Sequence, residues 1–145
     1  MKVLFDTSVL VAALLDSHPH HARAFPWLAK AKRKEIEGFI GLHTLAESYA
    51  ILTSLPVQRK VPTTEIWKLI QDSVLAVFEV VQLTKVDYQV ILESLAQNDI
   101  RGGTTYDALI AYAAYKANVD KLLTFNTKHF ARIYPAISHL VEEPT

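Results

Sequence analysis

The chain has 145 residues, half of them hydrophobic and 21% charged, which is typical of one globular domain with a sizeable core. Fifteen Lys and Arg balance fifteen Asp and Glu. A positive electrostatic potential over the whole surface, of the kind that attracts nucleic acid or membranes, is therefore excluded, although local basic patches are not. The absence of cysteine excludes disulfides, thiolate metal sites and cysteine nucleophiles, and it is consistent with a reducing compartment.

The first apolar run, VLVAALL over residues 9–15, predicts a short buried helix rather than a signal peptide. Only one cation, Lys2, precedes the run, Asp6 interrupts the approach, and no small-residue cleavage pattern follows. No stretch reaches the roughly 18 apolar residues that a membrane helix needs. The sequence therefore predicts a soluble cytoplasmic protein that makes no use of a membrane.

Five short apolar segments predict β-strands. They are mostly continuous rather than alternating in polarity, as expected for strands covered on both faces. The predicted strands are 2–5, 38–42, 76–83, 121–125 and 137–141. Helical patterns separate them at 20–34, 44–55, 62–74, 86–96 and 105–118. The last of these contains ALIAYAAY, which is apolar all round and so predicts a central, buried helix.

The alternation of strands and helices predicts an α/β fold with a mainly parallel sheet of about five strands and right-handed crossovers. No repeat or linker divides the chain, so residues 1–145 are expected to form a single domain. Ligands of such sheets bind beyond the carboxyl ends of the strands. Asp6 follows the first predicted strand at that position.

Three acidic residues are predicted to meet at this edge. Asp6 ends a strand, Glu47 begins the helix after the next strand, and Asp107 begins the most apolar helix. Partly desolvated carboxylates repel one another and stay ionised only if a cation joins them. Oxygen ligands suit Mg²⁺ or Mn²⁺. With no cysteine and no evident nucleophile, such a cluster points to metal-assisted attack of water on a phosphodiester.

Helix capping is the alternative interpretation of these acids. Three Thr-x-x-acid pairs have the spacing in which a hydroxyl and a carboxylate satisfy the free N–H groups of a helix start. The helix dipole also favours a carboxylate there, by roughly 0.3–1 kcal/mol. The pairs are Thr44 with Glu47, Thr84 with Asp87, and Thr104 with Asp107.

Five motifs in order give the chain a family resemblance. They are FDTSVLVAALL, HPHHARA, HTLAESYAIL, TTYDALIAYAAY and LLTFNTKHF. Together they resemble PIN-domain (PilT N-terminus) ribonucleases, and in particular the VapC-type toxins of bacterial toxin–antitoxin pairs. The resemblance covers nearly the whole chain.

The resemblance implies an α/β/α sandwich and a Mg²⁺-dependent endoribonuclease in which Mn²⁺ can substitute. It implies that Asp6, Glu47 and Asp107 bind the metal and that Ser8 supports Asp6. It further implies a structured RNA substrate, with transfer RNA the commonest, a cognate antitoxin and a homodimer. Asp87 matches no catalytic position, so we interpret it as a cap.

Asn126 departs from the pattern of many relatives, which have an aspartate there. An amide is neutral, so it binds a cation more weakly and cannot act as a base, but it can hold a water or donate to a phosphate. We expect Asn126 to assist at a second, weaker metal position. A catalytically silent PIN-like module that binds RNA or protein is the alternative function that Asn126 supports.

Basic and aromatic residues are the candidate RNA contacts. The dense run of Lys30, Lys32, Arg33 and Lys34 predicts a solvated helix face or, alternatively, a backbone contact beside the acids. Arg101 is a further candidate, because it lies close to Asp107 on a glycine-containing loop. Tyr49, Tyr106 and Tyr112 could stack on bases, although core packing is expected for Tyr112.

Two other chemistries find little support. A zinc site at His18, His20 and His21 lacks convincing ligand spacing. A phosphatase of the haloacid dehalogenase type also has an aspartate after its first strand. That chemistry requires a second acid two residues later, where this chain has Ser8.

Overall fold

A five-stranded parallel sheet forms the centre of the molecule. The structure is a computed structural model that describes residues 1–145, with the exception of the Ala131 side chain. The strands are β1 (Lys2–Phe5), β2 (Glu37–Gly41), β3 (Glu79–Val81), β4 (Lys121–Leu123) and β5 (Val141–Glu142). Their order is β3-β2-β1-β4-β5, and every adjacent pair is parallel.

Seven α-helices connect the strands. They are α1 (Thr7–Leu14), α2 (His21–Lys32), α3 (Leu42–Thr53), α4 (Thr63–Ile70), α5 (Lys85–Gln97), α6 (Thr104–Ala117) and α7 (Thr127–Ile133). A π-helical turn, Gln71–Leu75, extends α4, and a 3-10 helix, Pro135–Leu140, precedes β5. Among the described residues, no helix has the length and apolarity required to traverse a bilayer.

Strand β1 lies at the middle of the sheet and separates two cores. Val3 and Phe5 pack into one core with α1, α2 and α4, whereas Leu4 packs into the other with α6. This alternation follows from the two-residue period of a strand. The predicted α/β/α sandwich is confirmed, and β1 directs the residue that follows it to the middle of the sheet's carboxyl edge.

The predicted element bounds need three corrections. The segment 137–141 lies mainly in the 3-10 helix, and only Val141–Glu142 pair with β4. The predicted strand 76–83 is reduced to Glu79–Val81, because its first residues complete the turn after the π-helical segment. Helix α7 was not predicted, since its seven residues are too short a window for helical periodicity to stand out.

Candidate active site

Asp6 is a buried carboxylate at the carboxyl end of the central strand. Its side chain is only 3% exposed, and its backbone N–H continues the sheet by donating to the Leu123 carbonyl at 2.9 Å. Oδ2 accepts hydrogen bonds from the hydroxyls of Ser8 and Thr124, both at 2.8 Å, and Oδ1 accepts from the Thr7 N–H at 2.8 Å. Asp6 is also the N-cap of α1, where the helix dipole favours a negative charge.

These three hydrogen bonds do not compensate for the burial of Asp6. Desolvation, with a smaller contribution from the charge of Asp107, raises the pKa of Asp6 to about 6, although the bonds from Thr124, Ser8 and Thr7 oppose the shift. A carboxylate that is held in place by hydrogen bonds and yet costly to ionise is a group that would be stabilised by a cation. This electrostatic property agrees with the predicted metal site.

Glu47 reaches the same edge from the second turn of α3, which begins directly after β2. The Thr7 hydroxyl oxygen lies 3.0 Å from both Glu47 Oε1 and Thr44 Oγ1. Because a carboxylate can only accept, Thr7 donates its proton to Glu47 and accepts the proton of Thr44. His43 Nε2 lies 3.7 Å from Glu47 Oε1. Glu47 is therefore held by the residue that follows Asp6 in the chain.

Asp107 completes the acidic group from the first turn of α6. Burial raises the pKa of Asp107, the charge of Glu47 adds to this, and a contact with His129 opposes it. His129 Nδ1, on α7, lies 3.4 Å from Asp107 Oδ2. The charges of Asp6 and Asp107, and of Asp107 and Glu47, therefore act on each other.

The capping alternative holds for one of the three Thr-x-x-acid pairs. Thr84 and Asp87 form a reciprocal capping box at the start of α5, with Thr84 N–H donating to Asp87 Oδ2 at 2.8 Å. Helices α3 and α6 instead begin after Gly41 and Gly103. Their Thr-x-x-acid pairs therefore lie inside the helices, and the capping interpretation is wrong for Glu47 and Asp107.

The donor set fits a hard divalent cation. Asp6, Glu47 and Asp107 offer carboxylate oxygens, the ligands that Mg²⁺ and Mn²⁺ prefer. Within the part of the chain whose side chains are described, no three His, Asp or Glu side chains form a group close enough to hold a metal ion together. Mg²⁺ usually retains several waters and binds through one or two carboxylates, so this spacing is compatible with a site in which water bridges part of the set.

Two further predicted residues lie beside Asp6. Ser8 donates to Asp6 and accepts from the Phe125 N–H at 3.2 Å, so it connects the acid to the chain after β4. Asn126 is exposed, and its backbone N–H donates to the Thr124 hydroxyl at 2.9 Å. Asn126 is thus two residues from a hydrogen-bond donor of Asp6.

The basic run lies elsewhere, which corrects the alternative interpretation that it contacts RNA beside the acids and leaves the solvated helix face. Helix α2 ends at Lys32 and leads into Glu37, whose N–H donates to the Met1 carbonyl at the amino edge of the sheet. Arg33 is paired with Glu35 at 2.6 Å, and Lys32 donates to Ser73 at 3.2 Å. The acids are at the opposite, carboxyl edge.

Arg101 lines a cavity of about 680 Å³ between the residues that follow α5 and the end of α7. Its guanidinium contacts Asp99 at 3.0 Å, and Arg132 of α7 lines the same cavity. Arg132 lies three residues, about one helical turn, after His129 on α7, and His129 contacts Asp107.

Sequence reasoning missed the hydroxyl and imidazole partners of the acids. Thr7 and Thr124 have no distinguishing spacing, whereas Thr44 has the capping spacing to Glu47 but bonds to Thr7 instead. These threonines acquire their roles only because separate elements meet. His43 and His129 are isolated from other histidines in the sequence, yet each contacts an acid of the group. Their proximity to FDTS and TTYDALIAYAAY in space has no counterpart in the sequence.

The sequence is similar to several known proteins. A family model described as PIN domain matches residues 3–135. Ribonuclease VapC40 of Mycobacterium tuberculosis is 32% identical over 119 residues, which are 82% of each chain. Ribonuclease VapC27 of the same species is 33% identical over 109 residues, which are 75% of this chain and 74% of the relative.

The fold is similar to those of solved structures. VapBC2 from Rickettsia felis, bound to a DNA fragment from its promoter, superposes with a TM-score of 0.68 at 22% identity over 100% of both chains. VapC20 from M. tuberculosis, described as a sarcin–ricin loop cleaving toxin, superposes with a TM-score of 0.69 at 20% identity, over 90% of this chain and 94% of that one. At 20–22% sequence identity, these superpositions show similarity of fold alone.

Proposed function

The chain belongs to the PIN-domain family, and from this premise we propose that it is a divalent-metal-dependent endoribonuclease, the toxin of a type II toxin–antitoxin pair. The observation that supports the proposal is that three acids from three elements point to one sheet edge, where the charge of Asp107 acts on Asp6 and the charge of Glu47 acts on Asp107. Asp6 follows β1, Glu47 lies on α3 and Asp107 lies on α6. We further propose that residues 1–145 act as a single nuclease domain.

Asp6, Glu47 and Asp107 are the proposed metal-binding and catalytic residues. When bound, Mg²⁺ or Mn²⁺ would lower the pKa of water and offset charge on the phosphate. Ser8 and Thr124 fix the carboxylate of Asp6, and Thr7 fixes that of Glu47. Because both acids are oriented by hydroxyls, their oxygens are positioned before substrate arrives.

His129 and Asn126 have supporting roles in this proposal. His129 contacts Asp107 and can stabilise its ionised form. Asn126 is exposed beside Thr124, where its amide can donate to a phosphate oxygen or hold a water. A neutral amide makes the second metal position weaker than the first.

Arg101 and Arg132 are the proposed contacts for the RNA backbone. Both line the 680 Å³ cavity, and Arg132 lies on α7 one helical turn after His129, which contacts Asp107. Guanidinium groups bind phosphate in a bidentate manner and offset the repulsion between the acids and the substrate. Lys32 and Arg33 lie at the other edge of the sheet, so they could contact only a distant part of a large RNA.

A cognate antitoxin and a second copy of the chain are the proposed protein partners. The VapBC2 structure is a toxin–antitoxin assembly, which supports an antitoxin for this chain. Trp67 on α4 is 48% exposed and Val86 on α5 is 64% exposed, and exposed apolar side chains of this kind favour protein contacts. We propose a homodimer whose antitoxin places an Arg against the acids.

The test is cleavage of structured RNA, transfer RNA first, by purified protein with Mg²⁺, with Mn²⁺ and with EDTA. We expect cleavage with either cation, none with EDTA, and a loss of roughly 10²-fold or more in Asp107→Asn. Asp87→Asn is the matched control and should retain activity. Cation-independent RNA binding without cleavage would support the silent module instead.

A further inference from the structure

His43 and Tyr106 form an aromatic stack next to the acids. Their ring centroids are 4.7 Å apart, and the ring planes differ by only 4°. His43 lies in the first turn of α3, and Tyr106 lies in the first turn of α6. Tyr106 nevertheless remains 49% exposed, so part of its ring surface is open to solvent although His43 covers one face.

The stack is connected to two of the three acids. His43 Nε2 lies 3.7 Å from Glu47, and Tyr106 immediately precedes Asp107 on α6. Adjacent residues on a helix point about 100° apart, so Tyr106 and Asp107 present neighbouring but different surfaces. A planar group stacked on the Tyr106 ring would therefore lie beside the acidic site.

A second stack in the molecule is less exposed. Phe125 is covered by His20 at 4.5 Å and by the Arg23 guanidinium at 5.2 Å. Phe125 is also only partly exposed, so its contacts are satisfied within the chain. Tyr106 differs because it is 49% exposed and lies beside charged carboxylates. Packing within the chain alone therefore does not account for its position.

We propose that the His43–Tyr106 stack is a subsite for one unpaired RNA base next to the phosphate that is cleaved. Every base has a π-face, so stacking on an aromatic ring tolerates any sequence and holds a base that is out of its helix. His43 supports the underside of Tyr106 and fixes its plane. The subsite deepens the proposed ribonuclease function and rests on it.

The test is a steady-state cleavage assay on an RNA hairpin in Mg²⁺. Base stacking corresponds to roughly 5-fold to 100-fold in affinity, so Tyr106→Leu should raise KM by that range with a smaller change in kcat. Tyr106→Phe and Tyr106→Trp retain a ring and should stay near the wild type. Tyr115→Leu is the matched control, because Tyr115 lies on the same helix and is 54% exposed.

A fluorescent base gives a second readout. Emission of 2-aminopurine falls when it stacks, so wild-type protein should quench it at one position beside the cleaved bond, and Tyr106→Leu should not. If the wild type cleaves RNA and Tyr106→Leu matches it in KM and quenching, the subsite is overturned and the nuclease stands. Weakened self-association with unchanged RNA kinetics would also overturn it. If the wild type neither binds nor cleaves RNA, both proposals fail.

Discussion

The Thr124 hydroxyl donates to the Asp6 carboxylate at 2.8 Å, and this bond joins the carboxyl ends of β4 and β1. The two residues are 118 positions apart in sequence, so the bond forms only when the parallel strands pair. Thr124 is fully buried and its oxygen also accepts the Asn126 N–H. The orientation of the central acid is therefore determined by sheet formation itself.

Asp6 should make the metal-free protein less stable as pH rises. Its pKa is raised from 3.8 to about 6, so the folded state binds the proton more tightly than the unfolded state. The stabilisation from the protonated form is complete below about pH 4 and is lost as pH rises through about 6, a change of about 3 kcal/mol at most. The difference between the unfolding free energies from urea titrations in EDTA at pH 4.5 and pH 7 measures this change.

Asp6→Asn should abolish most of this pH dependence and be more stable than the wild type at pH 7 in EDTA, while losing activity. The Ser8 and Thr124 hydroxyls can rotate to accept from the new amide. A variant that is less stable than the wild type at pH 7 would show that burial of the charge is not the dominant cost.

Thr7→Val should impair the site through Glu47 while the core volume is retained. The substitution removes the hydroxyl that donates to Glu47 and accepts from Thr44. Loss of such an orienting bond typically costs about 10-fold to 100-fold in metal affinity or activity. The Mg²⁺ concentration for half-maximal cleavage should rise, and Thr7→Ser should restore it. An unchanged Mg²⁺ requirement would leave Thr7 a purely structural residue.

Asp87→Asn should lower stability and leave RNA cleavage unchanged. Its hydrogen bond to Lys116, together with that from the Thr84 N–H, lowers the pKa of Asp87 to about 2. The stabilisation from its charge is therefore present above about pH 4 and is lost as pH falls through about 2. A lower melting temperature at pH 7 with wild-type kcat/KM is the expected result, whereas a loss of activity would place Asp87 in the site.

Arg132→Gln should reduce the salt dependence of RNA binding. Each phosphate contact contributes about 0.7–0.9 to the slope of log Kd against log salt concentration. The slope for Arg132→Gln should be smaller than that of the wild type by about this amount, and Arg101→Gln should reduce the slope similarly. Arg33→Gln is the matched control, since Arg33 lies at the opposite edge and is paired with Glu35. Equal slopes in Arg132→Gln and the wild type would show that the cavity does not contact the RNA.

The sheet was predictable because its central strands are short, apolar and separated by helical periodicity. Strand β1 appears with its predicted bounds, and β5 does not, since its two residues are too few to form a pattern. Asp6 stood out as a charge after a buried strand. Thr7 and Thr124 did not, because a buried hydroxyl looks like any other threonine until another element supplies its partner.

The location of Arg33 shows a second limit of sequence reading. A basic run on a helix predicts a charged surface, but not at which edge of the sheet it lies. That depends on the direction of α2, which runs back to the amino end of β2. Arg101 lies three residues before the start of α6, and its contact with RNA stays a prediction.

The central claim is that Asp6, Glu47 and Asp107 gather around one divalent cation, and anomalous diffraction from a Mn²⁺-soaked crystal tests it most directly. We expect a single strong peak about 2.1 Å from carboxylate oxygens of Asp6 and Asp107, with Glu47 reached directly or through water. The peak should vanish in Asp107→Asn and persist in Asp87→Asn. A strong Mn²⁺ peak that contacts none of these three acids, or no peak at saturating Mn²⁺, would contradict the account.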